Sequence, residues 1–501
     1  MAEEFDVLIV GSGQNSLVLG NYLARAGLKV AVLERRLEAG GGVSTEELDV
    51  NGFWHNTGSA IIDGQDLVPL YRDLKLDRHY ADYVVPPVQS TLLTPTNKAV
   101  TVHADGTLEG FSPADERAWR QVISAAGDAY AGLLKPPSGD GADWPASSDS
   151  RLAEFAKLTP RQVVQNLFEM PEVQALALWH VLIPRMVPPD YEGMGWVVPL
   201  ALAEASRARL FLGGQHELIQ ALWNALIRAG GDVRDWHEVQ RIRVEDGKAV
   251  GVEFAGGETL GARCIVSNAG LQPTFTRLLD REAVPGALGS TVGQFKVDEF
   301  SVFALHLALR EPPRYRGGGS ADRAYRVNLG LDSPADFDTL FAEIRAGKLP
   351  SQLALMVNVS TSLDTVQAHP NKHVAVAWQI VPPGTSDDPR YAQELLRRWR
   401  EYAPNLTDEN IIMKRAISPA EFAGKWVNMA DGALSGGRMS ADQMGSRRPL
   451  PELAGFRTPI ENLYLCGGCM SPGLGLFGAQ GYVAAGVIAR DLGANVWWET
   501  N

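Results

Sequence analysis

With three cysteines in 501 residues, the chain has too little thiol for a disulfide framework and suits a reducing compartment. Long apolar runs are missing too. No stretch of about 18 apolar residues occurs, so no membrane-spanning helix is expected. The first strand-like segment starts at Phe5, which leaves no room for a signal peptide, and a cytoplasmic location is the expectation. Clustered positive charge is also absent: 46 Lys and Arg are scattered among 59 Asp and Glu, for a net charge of −13. A nucleic acid or other polyanion is therefore not an expected partner. The sequence has no G-x-S-x-G elbow, no H-E-x-x-H and no Cys/His grouping that suggests a nucleophile. Cys466 and Cys469 form a C-x-x-C without a second pair for zinc, leaving Cys264 alone. No metal site is expected, and the pair reads as small residues lining a loop.

Chemistry without such groups calls for a bound cofactor, and the N-terminal residues supply a grip for one. The apolar segment Phe5-Asp6-Val7-Leu8-Ile9-Val10 reads as a strand and Gly11-Ser12-Gly13-Gln14-Asn15-Ser16 as a tight turn. Residues 17–27 then read as a helix closed by glycine, and residues 28–33 as a second strand delivering Glu34. This is the layout of a Rossmann βαβ unit. The first glycine makes the turn, the second lets the backbone approach a pyrophosphate, and the helix aims free N–H groups at the same phosphates. The third position wants a small residue, and Ser16 stands there instead of glycine. Glu34 falls about 20 residues after the turn, where a carboxylate can bond a ribose hydroxyl. A second glycine fingerprint, which a nicotinamide-fed reductase usually carries, is absent.

The continuation decides between dinucleotides. After Glu34 come Arg35-Arg36-Leu37-Glu38-Ala39-Gly40-Gly41-Gly42, then Gly52-Phe53-Trp54-His55-Asn56-Thr57-Gly58. Further on lie Gly213-Gly214-Gln215, a helical stretch over 217–229, and strand patterns from Val239 onward and through Cys264-Ile265-Val266-Ser267-Asn268. Near the C-terminus, Leu463-Tyr464-Leu465-Cys466-Gly467-Gly468 reads as a strand entering a loop, and Phe477-Gly478-Ala479-Gln480-Gly481 opens a last helix. In these separated blocks the chain resembles the phytoene-desaturase-like FAD oxidoreductases, the group of carotenoid desaturases, carotenoid isomerases and flavin amine oxidase relatives. The resemblance implies FAD bound by Gly11, Ser12, Gly13, Gln14, Asn15, Glu34, Arg35, Gly40, Gly41, Val239, Asn268, Gly467, Gly468 and Ala479. It further implies that the Val239 backbone lies beside the adenine. The last helix would turn its N–H groups toward the flavin, where negative charge collects on reduction. His55-Asn56 stands where the group more often has Phe-Asp, and Gly42 where many members have Arg or Ala.

A chain of this length and 45% hydrophobic content can bury a large core and form two or three domains. The expected fold is α/β, a Rossmann-type FAD-binding domain interleaved with an α+β substrate domain. Residues 1–90, 210–298 and 430–501 are assigned to FAD binding, and residues 91–209 and 299–429 to the substrate side. The first insert looks helical, with candidates at 115–134, 151–158 and 159–168 around a Pro/Gly/Ser-rich run over 135–150 that reads as a surface loop. The second insert carries strand patterns at 300–309, 353–359 and 373–381.

The flavin would then carry the chemistry while the protein positions a substrate and shields it. The expected activity is hydride abstraction from a mainly apolar or amphipathic small molecule, with carbon–carbon desaturation as the lead reaction. Flavin-dependent amine oxidation and redox-neutral isomerisation are the enzymatic alternatives. A non-enzymatic prenyl-binding escort is disfavoured, because such a chain has little reason to keep Gly11, Gly13 and Glu34 together. Oxygen, a quinone or another carrier is the expected electron acceptor. Twelve Trp leave room for a peripheral membrane contact, although most large aromatics in such a chain are core. His55 is the candidate catalytic residue, and a histidine packed beside Trp54 is the alternative. His180 and Arg185 could face a substrate tunnel, or belong to an amphipathic helix that ends at Pro184.

Overall fold

In the computed structural model, residues 4–64, 66–137, 150–473 and 475–499 are described. Residues 138–149, which hold most of the expected surface loop, lie outside them.

Two large sheets organise the chain. The first has seven strands in the order Asp232–Arg234, Val30–Leu33, Glu4–Val10, Thr259–Ser267, Lys248–Phe254 and Val239–Glu245, with Leu463–Leu465 also pairing Thr259–Ser267. Strands Asp232–Arg234, Val30–Leu33, Glu4–Val10, Thr259–Ser267 and Leu463–Leu465 run parallel, and the other two fold back as an antiparallel hairpin. Strands buried on both faces need apolar residues at successive positions. Val7 to Ile9 and Val30 to Val32 are indeed wholly buried. Helices Gln14–Arg25, His216–Arg228 and Ala479–Asp491 pack together beside this sheet.

Register gives the sheet its functional edge. Val10 lies opposite Leu33 and Ser267, and Ser267 lies opposite Leu465. Four parallel strands therefore end on one line. The residues that follow are Gly11, Glu34, Asn268 and Cys466-Gly467, so every one of these turns leaves from the same side. In open α/β sheets ligands bind in the crevice beyond the carboxyl ends of the strands.

The second sheet has eight strands, ordered Ile411–Ile417, Ser301–Leu309, His373–Val381, Leu355–Asn358, Arg326–Leu329, Val88–Leu93, Ala99–His103 and Leu108–Glu109. Its pairings are antiparallel except between Arg326–Leu329 and Val88–Leu93. Side chains alternate between faces with period two. Phe303, Leu305, Leu307 and Leu309 join one apolar cluster with Leu395, Leu396 and Trp399 of helix Pro389–Tyr402. That helix presents an i, i+3, i+4, i+7 stripe, Ala392 to Trp399, to the sheet. Val302, Ala304 and His306 therefore face the opposite way, and the first two belong to the main core.

Helices Pro113–Ile123, Gly127–Leu133, Ser150–Phe155, Pro160–Leu167, Pro171–Leu182 and Val197–Glu204 fill the first insert. Proline at the first helical position costs no hydrogen bond. Ser112 and Thr159 cap the helices that start at Pro113 and Pro160. The stretch expected as one helix over 115–134 breaks at Ser124–Ala126, a short 3₁₀ turn. Helix Gln14–Arg25 begins three residues before the expected 17, because Gly13 itself is its N-cap. Among the described residues no helix is long and apolar enough to cross a membrane. Of the described Trp side chains, Trp54 and Trp236 are exposed.

Candidate functional site

A cleft opens at the line of strand ends, walled by Val10, Gly11, Ser12, Gly13, Glu34, Arg35, Gly41, Val239, Asn268 and their neighbours. Its floor is backbone. Gly11 has φ +88°, and its N–H donates to Leu33 O at 2.7 Å, which closes the turn against the next strand. Gly13 bridges Gly40, and Gly40 N donates to Ser12 O at 2.9 Å. A Cβ on Gly13 would sit 2.9 Å from Asn268 Nδ2, and one on Gly467 would overlap Asn268 Oδ1. Asn268 is thus clasped between the first turn and the C-terminal loop. The absence of side chains at Gly13, Gly41 and Gly467 leaves main chain to form the cradle.

The helix that starts at Gln14 has no side-chain cap and no acidic residue in its first turn. Its N-terminal N–H groups are free to receive an anion, and its dipole favours one. Glu34, 9% exposed, holds the turn together. Its Oε2 accepts from Ser12 N at 2.9 Å and from Ser12 Oγ at 2.8 Å, while Oε1 accepts from Arg36 N at 2.9 Å. A carboxylate has about four lone-pair positions, so one is left for a hydroxyl at the cleft. Glycine cradle, open helix end and carboxylate together fit the ADP part of FAD.

Eight of the expected cofactor residues line the cleft: Gly11, Ser12, Gly13, Glu34, Arg35, Gly41, Val239 and Asn268. Gly40 adjoins it through Ser12. Gln14, Asn15 and Ala479 sit on the first turns of two helices that meet end to end, where Gly481 N donates to Asn15 Oδ1 at 3.2 Å. Gly467 and Gly468 belong to the loop after Leu463–Leu465, outside the cleft lining. Sequence reasoning missed the opposite wall: Lys425, Trp426, Val427, Asn428 and Arg277. Lys425 O accepts from Arg35 Nη2 at 2.7 Å, and its ammonium pairs with Glu46. No glycine pattern marks that segment.

His55 lies elsewhere, on the short strand Trp54–Asn56, 1% exposed. Its ring meets His306 edge to face at 5.4 Å, and its Nε2 has no partner among the described residues. Burial draws it down to about 4, so both faces of this contact are neutral imidazoles at pH 7. Helix Pro171–Leu182 is buried on all sides, and neither His180 nor Arg185 belongs to an amphipathic face. Arg185 pairs with Glu204, and His180 accepts from Arg326. Cys264, Cys466 and Cys469 are buried free thiols, and burial pushes Cys469 up to about 11.

Residues 17–467 match the model of a family described as flavin containing amine oxidoreductase. The chain belongs to that family. It is an FAD-dependent oxidoreductase with the α/β architecture expected from its sequence. A limonene dehydrogenase polypeptide of Castellaniella defragrans is 32% identical over 99% of this chain and 96% of its own length. Prolycopene isomerase of Daucus carota is 24% identical, covering 98% of this chain and 81% of that protein. Among solved structures, putrescine oxidase bound to putrescine superposes with a TM-score of 0.62 at 16% identity, covering 98% of this chain and 99% of that one. At that identity the likeness is one of fold.

Proposed function

We propose that this flavoenzyme abstracts hydride from a mainly apolar small molecule and leaves a carbon–carbon double bond. The relative named for dehydrogenating limonene, an apolar cyclic hydrocarbon, carries the reading, because it matches almost end to end. The substrate side agrees: helices Pro171–Leu182 and Val197–Glu204 supply the wholly buried apolar residues Leu176, Leu178, Val197 and Leu200. Bound FAD supplies a two-electron acceptor able to take hydride from a C–H bond. The chain's part is to hold and exclude. Gly11, Gly13 and the Gln14–Arg25 helix end receive the pyrophosphate, Glu34 the ribose, and the Val239 segment the adenine. Gly467, Gly468 and the N-terminus of Ala479–Asp491 close the far end.

An imidazole held near 4 is a weak base at neutral pH, so His55 serves better as packing than as proton acceptor. Redox-neutral isomerisation is the second reading, favoured by the prolycopene isomerase match along 98% of the chain. Amine oxidation is the third. We place the enzyme in the cytoplasm with oxygen, a quinone or another carrier as acceptor. We also keep the interleaved domain division, with residues 425–428 moved to the FAD side because they wall its cleft. An anaerobic visible spectrum tests the reading. Flavin that bleaches with cyclic alkenes or polyenes supports desaturation; bleaching with amines alone refutes it.

A further inference from the structure

Behind the cleft, where the two sheets face each other, five charged or titratable side chains are buried together. Asp63, His180, Arg185, Glu204 and Arg326 are each no more than 6% exposed. Arg326 stands on a strand whose alternate residues, Val327 and Leu329, join the helix-covered cluster, so its side chain points to the opposite face of the sheet. Its guanidinium joins two partners: Nη2 donates to Asp63 Oδ2, and Nη1 donates to His180 Nδ1 at 2.9 Å. A guanidinium has no acceptor, so His180 Nδ1 must be the unprotonated nitrogen and Nε2 carries the hydrogen. Burial, and then the adjacent guanidinium, hold His180 well below the usual imidazole range, which keeps it neutral.

Three atoms of this group have no partner among the described residues: His180 Nε2, Arg326 Nε and Asp63 Oδ1. They amount to two donors and one acceptor. Buried polar groups are rarely left open, and a buried ion pair is weak evidence of stabilisation. The position also matters. Asp63 follows the Thr57-Gly58 segment, and Gly64 Cα lies where a Cβ would reach within 3.1 Å of the Glu204 carboxyl. Pro184 O lies 2.6 Å from the place of a Cβ on Gly475, so the loop after His180 abuts the loop that leads into Ala479–Asp491. The group is therefore bracketed by the two segments that frame the far end of the FAD site.

The geometry points to a recognition site for a neutral hydroxyl group, formed by Asp63, His180 and Arg326, so that this enzyme's substrate is a mainly apolar alcohol. The proposal rests on the reading of an apolar substrate given above and names its class. A hydroxyl has one hydrogen to give to Asp63 Oδ1 and two lone pairs for the N–H groups of His180 and Arg326. An ammonium offers only donors and would leave both N–H groups facing a cation. A carbonyl leaves the carboxylate oxygen open, a carboxylate is repelled by Asp63, and a hydrocarbon leaves all three atoms open.

The test is calorimetric titration of the FAD-loaded protein with cyclohexenylmethanol, methylcyclohexene and cyclohexenylmethylamine, each anaerobic. Cyclohexenylmethanol is expected to bind roughly 10- to 100-fold more tightly than either analogue, the worth of two or so net hydrogen bonds. His180→Phe is expected to reduce that advantage to about threefold or less, and His180→Gln, which can accept from Arg326 and still donate, to restore part of it. If His180→Phe does not fold, the comparison on the unaltered protein decides alone. Equal binding of alcohol and hydrocarbon, with either bleaching the flavin, overturns the hydroxyl site and leaves the apolar-substrate reading intact; the open atoms then hold water. Preference for the amine, or no binding by any of the three, overturns both.

Discussion

Glu34→Gln isolates one charge at the centre of the cofactor cleft. The native carboxylate accepts three hydrogen bonds, two from Ser12 and one from Arg36 N, and has room for one more. A glutamine keeps the shape but offers a single accepting oxygen. If that oxygen serves Ser12, the amide nitrogen faces the Arg36 N–H, donor against donor; if it serves Arg36, Ser12 loses both bonds. Either way the ribose loses a charge-assisted partner, worth about 1.5–3 kcal/mol. That corresponds to FAD binding weakened roughly 10- to 150-fold. Ser12→Ala removes only the Oγ bond and leaves the carboxylate, so a smaller loss of about 0.5–1.5 kcal/mol is expected. Apoprotein is titrated with FAD and binding followed by quenching of flavin fluorescence. A Kd within twofold of the unaltered protein for Glu34→Gln would refute the ribose assignment, and equal losses for the two variants would show that Glu34 acts only through the turn.

Two further outcomes follow from the same structure. Gly467→Ala must place a Cβ onto Asn268 Oδ1 at φ +94°, a left-handed conformation that side chains rarely adopt; we expect about 1–3 kcal/mol of destabilisation, read as a lowered Tm and reduced flavin absorbance per chain. His55 is held near 4 when folded against 6.5 in the open chain, so between those values the unfolded state binds the extra proton and stability falls as pH falls. His55→Phe should remove about 3 kcal/mol of that acid sensitivity between pH 7 and 4, measured by urea unfolding across pH, and should retain turnover; an unchanged pH slope sinks the burial argument, and lost turnover returns His55 to the catalytic list.

The cofactor end was legible because its requirements are local. A glycine that must have positive φ, a small residue at a helix start and an acid at a strand end are properties of single positions, and Gly11, Gly13 and Glu34 satisfy them within one βαβ unit. The strands of the second insert were legible for a similar reason, since Ser301–Leu309 and His373–Val381 are long, β-rich and buried. The wall at Lys425 to Asn428 was not. Those residues reach the cleft only because helix Pro419–Lys425 ends beside Arg35, a contact across 390 positions that no local pattern encodes. His180 and Arg326 escape for the same reason, being 146 positions apart and joined by a single hydrogen bond.

The C-terminal half of the cradle shows how such a site can be held without help from its ligand. Arg448 is fully buried, and its guanidinium donates to four carbonyls: Met470 at 3.2 Å, Arg438 at 3.1 Å, Gly437 at 3.1 Å and Gly468 at 2.8 Å. Asp298 takes the neighbouring Ser435 N at 2.9 Å. These bonds tie two loops into one unit, with Gly436 so close to Gly468 that a Cβ there would lie 2.9 Å from its backbone. A loop fixed in this way has little conformational entropy left to lose when a ligand arrives. Small residues then become a condition of the design: Gly467 and Gly468 must pass under Asn268 and Ser435, and the compact, inert thiols of Cys466 and Cys469 fill the space beside them. The C-x-x-C spacing is thus explained by packing around a buried arginine, without redox chemistry.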